Sequence, residues 1–159
     1  MQIKGREKIY IIFFLSLFIF NLNLNADEFN ITANEILIDK ENEILTGKGS
    51  VQAIDSEGKI IMANKITYEK SREFLLAEGK VVIVDPEGNV IETDKAAYDK
   101  INEIITTYNN TKLVLKDDYK LITKNITYNT EKKILSANED TILSDNDGNV
   151  IETSMFQYH

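Results

Sequence analysis

The chain of 159 residues has no cysteine, so neither a disulfide framework nor a thiolate metal site holds it together. It has no tryptophan and one histidine, His159, the last residue. That position excludes a Ser-His-Asp triad and a His-based zinc site from the interior of any fold. The sequence contains no Gly-rich phosphate loop, nucleophile elbow or EF-hand loop. In "SDNDGNV" Asp145, Asp147 and Gly148 resemble part of a calcium loop, but the twelfth place, which needs a bidentate Glu, holds Phe156. No catalytic constellation is present, and we expect neither an enzyme nor a cofactor nor a metal centre. Positive charge is also short: 18 Lys and Arg stand against 26 Asp and Glu, for a net charge of −8. An acidic chain disfavours nucleic acid as a partner, and its scattered carboxylates read as a solvated outer face.

The first 26 residues differ from the rest. Lys4, Arg6 and Lys8 precede an apolar run from Ile9 to Phe20, followed by Asn21, Asn23, Asn25 and the small Ala26. This is the layout of a secretory signal peptide spanning 1–26 and cut after Ala26. The run is short for a bilayer span, which needs about 20 residues; a retained membrane anchor is the alternative. Without this segment, residues 27–159 carry a net charge of −10. They must fold by apolar burial and backbone hydrogen bonding, and a domain of this size buries about two thirds of its unfolded surface.

What is abundant is repetition. Cut every 30 residues from Ile31, the chain gives four copies, exemplified by "IMANKITYEKSREFLLAEGKVVIVDPEGNV" at 61–90, and "IETSMFQYH" begins a fifth. Tyr68, Tyr98, Tyr128 and Tyr158 fall 30 apart, with Ile38 in that place of the first copy. Gly58, Gly88 and Gly148 keep the same spacing, with Asp118 substituting in the third copy. Such a period signals one structural unit stacked upon itself.

Within a copy the apolar period is two. Ile66 and Tyr68 share one face, as do Ala96 and Tyr98, Ile126 and Tyr128, and Phe156 and Tyr158; after a turn the apolar face passes to Leu75, Ala77, Val81 and Ile83. Alternation with β-branched and aromatic enrichment indicates strands with one dry face. The turns are of two kinds: Asp-x-x-Gly clusters at 55–58, 85–88 and 145–148, and the polar tetrads "DKEN", "EKSR", "DKIN" and "NTEK". Each unit is therefore expected to be two antiparallel strands of about 10 to 12 residues, longer than usual. Gly47, Gly49 and Gly79 lie mid-strand, where glycine marks a bulge or corner. The expected fold is all-β, an elongated jelly-roll or split barrel of long antiparallel strands built from 30-residue repeats.

The pattern "ANKITYEKSREFLLAEGKVVIVDPEGNVIETDKAAYDK" resembles the OstA-like domain of lipopolysaccharide-transport proteins, found in LptA and in the amino-terminal domain of LptD. The residues that carry the likeness are the strands Ala63 to Tyr68 and Asp94 to Tyr98, the run "LLAEGKVVIV" from Leu75 to Val84, and Gly88. It covers about residues 29–159. The third copy departs from it, since "TTYNNTKLVL" lacks the Ala-x-Gly of its neighbours, and its corner is expected to be built differently. The resemblance implies a V-shaped β jelly-roll in the periplasm, attached to the outer membrane in some members, whose interior takes the acyl chains of lipopolysaccharide. On that implication the groove-lining residues are Ile66, Tyr68, Leu75, Val81, Ile83, Tyr98, Ile105, Leu113, Tyr128, Leu135 and Leu143. Each has the alternative of plain core packing. Further partners implied are other Lpt-type jelly-roll proteins, joined by edge-strand pairing. The chain stops on a strand within a repeat, and we read it as truncated at its carboxyl end. Two other functions stay open: an inner-membrane-anchored, LptC-like component, and a structural secreted β-repeat with a solid core.

Overall fold

In the computed structural model of the chain, which describes residues 29–159, the regular structure is strand throughout apart from one 3-10 turn, Lys70–Arg72. The expected leader and its cleavage point lie outside the described residues. The strands are β1 (Asn30–Thr32), β2 (Glu35–Asp39), β3 (Ile44–Ile54), β4 (Ile60–Glu69), β5 (Phe74–Val84), β6 (Val90–Asp99) and β7 (Ile104–Tyr108). They continue as β8 (Thr111–Val114), β9 (Lys120–Thr123), β10 (Thr127–Asn129), β11 (Ile134–Ala137), β12 (Thr141–Ser144), β13 (Val150–Thr153) and β14 (Phe156–Tyr158). All belong to one 14-stranded antiparallel sheet.

Both families of turn form where the polar clusters stand. At the Asp-x-x-Gly turns the aspartate carboxylate accepts backbone N–H groups of its own loop: Asp55 from Glu57 and Lys59, Asp145 from Asp147 and Asn149, and Asp85 from Asn89. The glycine that follows has φ near +90°, a left-handed conformation that a side chain resists. In the third copy Asp118 takes it at φ 65°. The opposite turns are Asx-capped by Asp39, Asp99 and Asn129, which accept from the N–H groups of Asn42, Asn102 and Lys132. Successive turns of this family are also tied together, Lys70 N–H to Glu43, Lys100 N–H to Glu73 and Thr130 N–H to Glu103, always to the backbone carbonyl.

The long strands fold over along a crease. The register between β3 and β4 shifts between Lys48 and Val51, and that between β5 and β6 between Glu78 and Val81. At these shifts Gly49 and Gly79 have φ of +74° and +79°, followed by Ser50 and Lys80, also left-handed. Both are β-bulges, as glycines mid-strand suggested. Gly47 has a different purpose: a Cβ there would stand 2.9 Å from Val51 Cγ1 and 3.2 Å from Ala33 Cβ, so the neighbouring segment comes too close for a side chain. One consequence was not legible from alternation. Buried positions run Ile61, Ala63 and then Ile66, Tyr68 along β4, and Ile91, Thr93 and then Ala96, Tyr98 along β6. Their parity flips at the crease, so the same side stays inside as the strand folds over.

The expectation of two long strands per repeat holds for β3 to β6, of 10 or 11 residues each. It fails for the third and fourth copies, where each long strand is replaced by two of three to five residues. Threonines explain how the broken crease remains satisfied. Thr107 Oγ1 accepts the Ile126 N–H at 2.9 Å, Thr111 Oγ1 donates to the Lys124 carbonyl at 3.0 Å, and Thr93 Oγ1 donates to the Asn109 carbonyl at 2.9 Å. Hydroxyls take over backbone groups that an unbroken ladder would have paired. The third corner uses Asn109 and Asn110, both left-handed at φ 64° and 48°, in place of Gly-Ser and Gly-Lys. Its backbone therefore follows its predecessors, against expectation, because asparagine tolerates this region. In the fourth copy Glu139 and Asp140 occupy the place, and neither is left-handed.

Gly79→Ala is expected to destabilise the protein by about 1–3 kcal/mol, because its Cβ would meet Asn64 Nδ2 at 2.8 Å on a left-handed backbone. Asn109→Gly should change stability by less than about 0.5 kcal/mol, since glycine adopts the same φ freely. Urea unfolding of the two variants checks this; equal losses would refute the account of the crease.

Candidate functional site

Folding over the crease makes two layers. One contains β2, the crease-to-turn segments 44–48, 65–69, 74–78 and 95–99, then β7, β10, β11 and β14; the other contains β1, segments 51–54, 60–62, 81–84 and 90–93, then β8, β9, β12 and β13. Their facing sides form one continuous apolar cluster from Phe29 to Ala137.

The predicted lining residues lie on these facing sides. Ile66, Tyr68, Leu75, Tyr98, Ile105, Tyr128 and Leu135 come from the first layer, and Val81, Ile83 and Leu113 from the second; all ten are buried. Leu143, on β12, is half-buried and packs at the margin of the cluster. Tyr158, in register with Leu135, is exposed. Between Ile61 and Ile105 the interior is filled by its own side chains. Cavities lie to either side of this filled length. One of about 300 Å³ is bordered by Phe29, Ile31, Ile38, Leu45 and Tyr68. Another, of about 210 Å³, is bordered by Leu113, Leu115, Tyr128, Leu135 and Tyr158, with Lys116 and Lys133 at its rim.

Not all of the interior is apolar, and here the expectation that the carboxylates are solvated needs correcting. Asp55 and Asp85 are buried, and so is Lys59, at 1 % exposure. The Lys59 ammonium donates to Tyr98 Oη at 2.6 Å and to Asp55 Oδ2 and Glu103 Oε2 at 3.3 Å each, and stands 4.2 Å from the centre of the Tyr98 ring. Tyr98 in turn donates its hydroxyl proton to Glu103 Oε2 at 2.6 Å, and Thr130 Oγ1 donates to the same oxygen at 2.6 Å. This is a polar bar between turn 55–59 of one layer and turn 100–103 of the other. A second bar recurs one repeat later: Tyr128 donates to Asp85 Oδ2 at 3.2 Å, and Lys133 pairs with Glu87. Phe29 packs edge-on against Tyr68 and Tyr98, with ring centres 5.2 and 5.9 Å apart, beside the first bar.

The electrostatics follow from this burial. Desolvation, then the hydrogen bond to Glu103, drives the Tyr98 hydroxyl well above its ordinary pKa, so it stays a donor; burial and Asp85 do the same for Tyr128. For Glu103, partial burial pushes the carboxyl up, but the hydrogen bonds from Thr130 and Tyr98 and the charge of Lys59 outweigh it, and the pKa is lowered.

The bars were not among the residues picked from sequence. The 30-residue frame aligns Asp55 with Asp85 and Tyr98 with Tyr128, and that alignment was the available signal. Their pairing across the layers spans 43 to 46 residues for Asp85–Tyr128, Lys59–Glu103 and Glu87–Lys133, about one and a half repeats, an offset that no in-register reading contains.

No protein-family model matches the sequence, and none of the curated proteins matches it. Among solved structures, the fold is similar to the crystal structure of LptH from Pseudomonas aeruginosa, described as the LptA-homologous periplasmic component of the conserved lipopolysaccharide transport device. The TM-score is 0.62 at 13 % identity, over 80 % of this chain and 94 % of that one. The likeness establishes the fold, an LptA-like β jelly-roll, as the resemblance implied.

Because the Glu103 pKa is lowered on folding, its contribution is present above the unfolded value of 4.5 and is lost as pH falls through the folded value. Stability should therefore drop below about pH 4.5, and Glu103→Gln should flatten that part of the curve. Lys59→Met, which leaves Asp55 buried without its cation, should cost about 3–5 kcal/mol at pH 7. Chemical denaturation across pH checks both; an unchanged acid slope in Glu103→Gln would remove Glu103 from the bar.

Proposed function

We propose that the protein is a periplasmic carrier in lipopolysaccharide transport and outer-membrane assembly, holding lipid acyl chains against the apolar inner faces of its two layers. The observation that carries this reading is the ladder of apolar residues facing inward from successive strands, in a fold similar to LptH, a periplasmic component of the lipopolysaccharide transport device. Acyl chains gain about 0.8 kcal/mol per methylene removed from water. A ribbon of Ile, Leu, Val and Tyr therefore retains a lipid without base- or sugar-specific contacts, and repetition of the ribbon lets a chain pass from one unit to the next at little change in energy.

Partners in the same system would dock by strand addition. Among the described residues β1 and β2 at one end, and β13 and β14 at the other, pair on one side only, leaving backbone donors and acceptors for a further strand. Ile36, Ile38, Ile151 and Tyr158 are exposed on these strands and would extend the ribbon into the neighbour.

A second reading, a structural β-repeat with a solid core, is favoured by the closely packed length between Ile61 and Ile105. One experiment separates the two. Photoreactive residues placed at positions 68, 98 and 128, in cells that make lipopolysaccharide, should yield a covalent lipopolysaccharide adduct from at least one position, while a control at 127, on the outer face, yields none. Adducts from none of the three would leave the solid-core reading standing.

A further inference from the structure

The two polar bars lie at equivalent places in successive repeats, and the next place in the series breaks the pattern. Asp55 and Asp85 are followed, 30 residues on, by Leu115; Tyr98 and Tyr128 are followed by Tyr158. The turn itself is retained, since Leu115 N–H bonds to the Tyr119 carbonyl and Asp118 N–H to the Leu115 carbonyl, as Asp85 and Gly88 do in their turn. Only the acceptor is missing. Leu115 is buried and brings an apolar surface to the place where a carboxylate would have received the tyrosine hydroxyl, and there the 210 Å³ cavity opens between Leu113, Leu115, Tyr128, Leu135 and Tyr158.

We infer that this unbarred gap is where an acyl chain enters the interior, and that the Asp85–Tyr128 and Lys59–Tyr98–Glu103 bars stop it from passing along the mouth toward Tyr68. The inference rests on the lipid-carrying reading above and gives that site an entrance and a direction. The occupant is the acyl chain of an anionic amphiphile. The walls are aliphatic and aromatic, while the rim carries the ammonium groups of Lys116 and Lys133. Lys133 is engaged by Glu87, and Lys116 makes no ion pair among the described residues, so its charge is available to a headgroup phosphate or carboxylate. Behind the gap, a chain moving deeper meets the Asp85 carboxylate and then the Lys59 ammonium, both buried; displacing their partners leaves an unpaired polar group in an apolar interior.

Leu115→Asp supplies the missing acceptor without altering the turn, because aspartate already occupies the same turn at 55 and 85. The full chain is incubated with a diazirine-bearing fatty acid, irradiated, and the adducts are mapped by mass spectrometry. Wild type should be labelled at Leu113, Leu115, Tyr128, Leu135 or Tyr158 and not at Ile61, Ile66 or Tyr68. Leu115→Asp should lose about tenfold or more of that yield while keeping its urea midpoint, Leu115→Asn should lose yield in the same direction without added charge, and Leu115→Val should retain it. Lys116→Gln should lower labelling by the fatty acid but not by the corresponding diazirine alcohol. Labels centred on Tyr68 and Ile61, or full yield in a folded Leu115→Asp, would overturn the entrance and leave the carrier reading intact. Absence of any specific label on wild type would overturn both.

Discussion

A sheet that folds over on itself must interrupt its own hydrogen-bond ladder, and the way each crease position makes good that interruption governs the rest of this molecule. In the first repeats the interruption is a bulge: Gly49 and Gly79 turn left-handed and Asn34 and Asn64 pack over them, at 15 residues' distance in sequence. The following pairs at that spacing, Asp94 with Asn109–Asn110 and Lys124 with Glu139, replace packing by a hydrogen bond and then by an ion pair. As the crease becomes more polar, the strands shorten and the inner crease positions become Thr93, Thr107, Thr111, Thr123 and Thr141, all buried and joined by their hydroxyls. The crease therefore runs from continuous bent strands at one end to hydroxyl-bridged short strands at the other, with backbone groups satisfied throughout by whichever donor or acceptor the local sequence supplies.

This explains which parts of the structure were legible in the sequence. Alternation is a local property, and it placed Ile66, Tyr68, Leu75 and Ile83 on the inner face because each lies in a segment that does not cross the crease. The turns were equally legible, since Asp55 or Asp99 bonds to its own loop and needs nothing remote. What was not legible is whatever depends on two segments meeting. The parity flip between Ala63 and Ile66 requires knowing where the bend falls, and the breaks in the third and fourth copies follow from threonine hydroxyls finding carbonyls 13 or 16 residues away. Lys59 was invisible as an interior residue for the same reason. A lysine beside Gly58 in a turn reads as solvated until turn 100–103 is brought over it.

The bars also bear on how a repetitive chain chooses one packing. Two layers lined by near-identical ridges of Ile, Leu, Val and Tyr bury similar apolar area when one slides by a whole repeat against the other, so hydrophobic burial alone distinguishes such arrangements poorly. Lys59 occurs once: its equivalents are Asn89, Tyr119 and Asn149. In the observed arrangement its ammonium reaches Asp55, Tyr98 and Glu103 together; moved by one repeat toward Tyr128, it would find Lys133 where Glu103 had been. A buried ammonium facing another ammonium is strongly unfavourable, whereas the apolar ridges would scarcely register the slip. The ion network need not add net stability over an apolar substitute to have this effect. It penalises the wrong register, and by holding the layers at one offset it determines which tyrosine lies over which turn, including the place where Tyr158 meets Leu115 rather than a carboxylate.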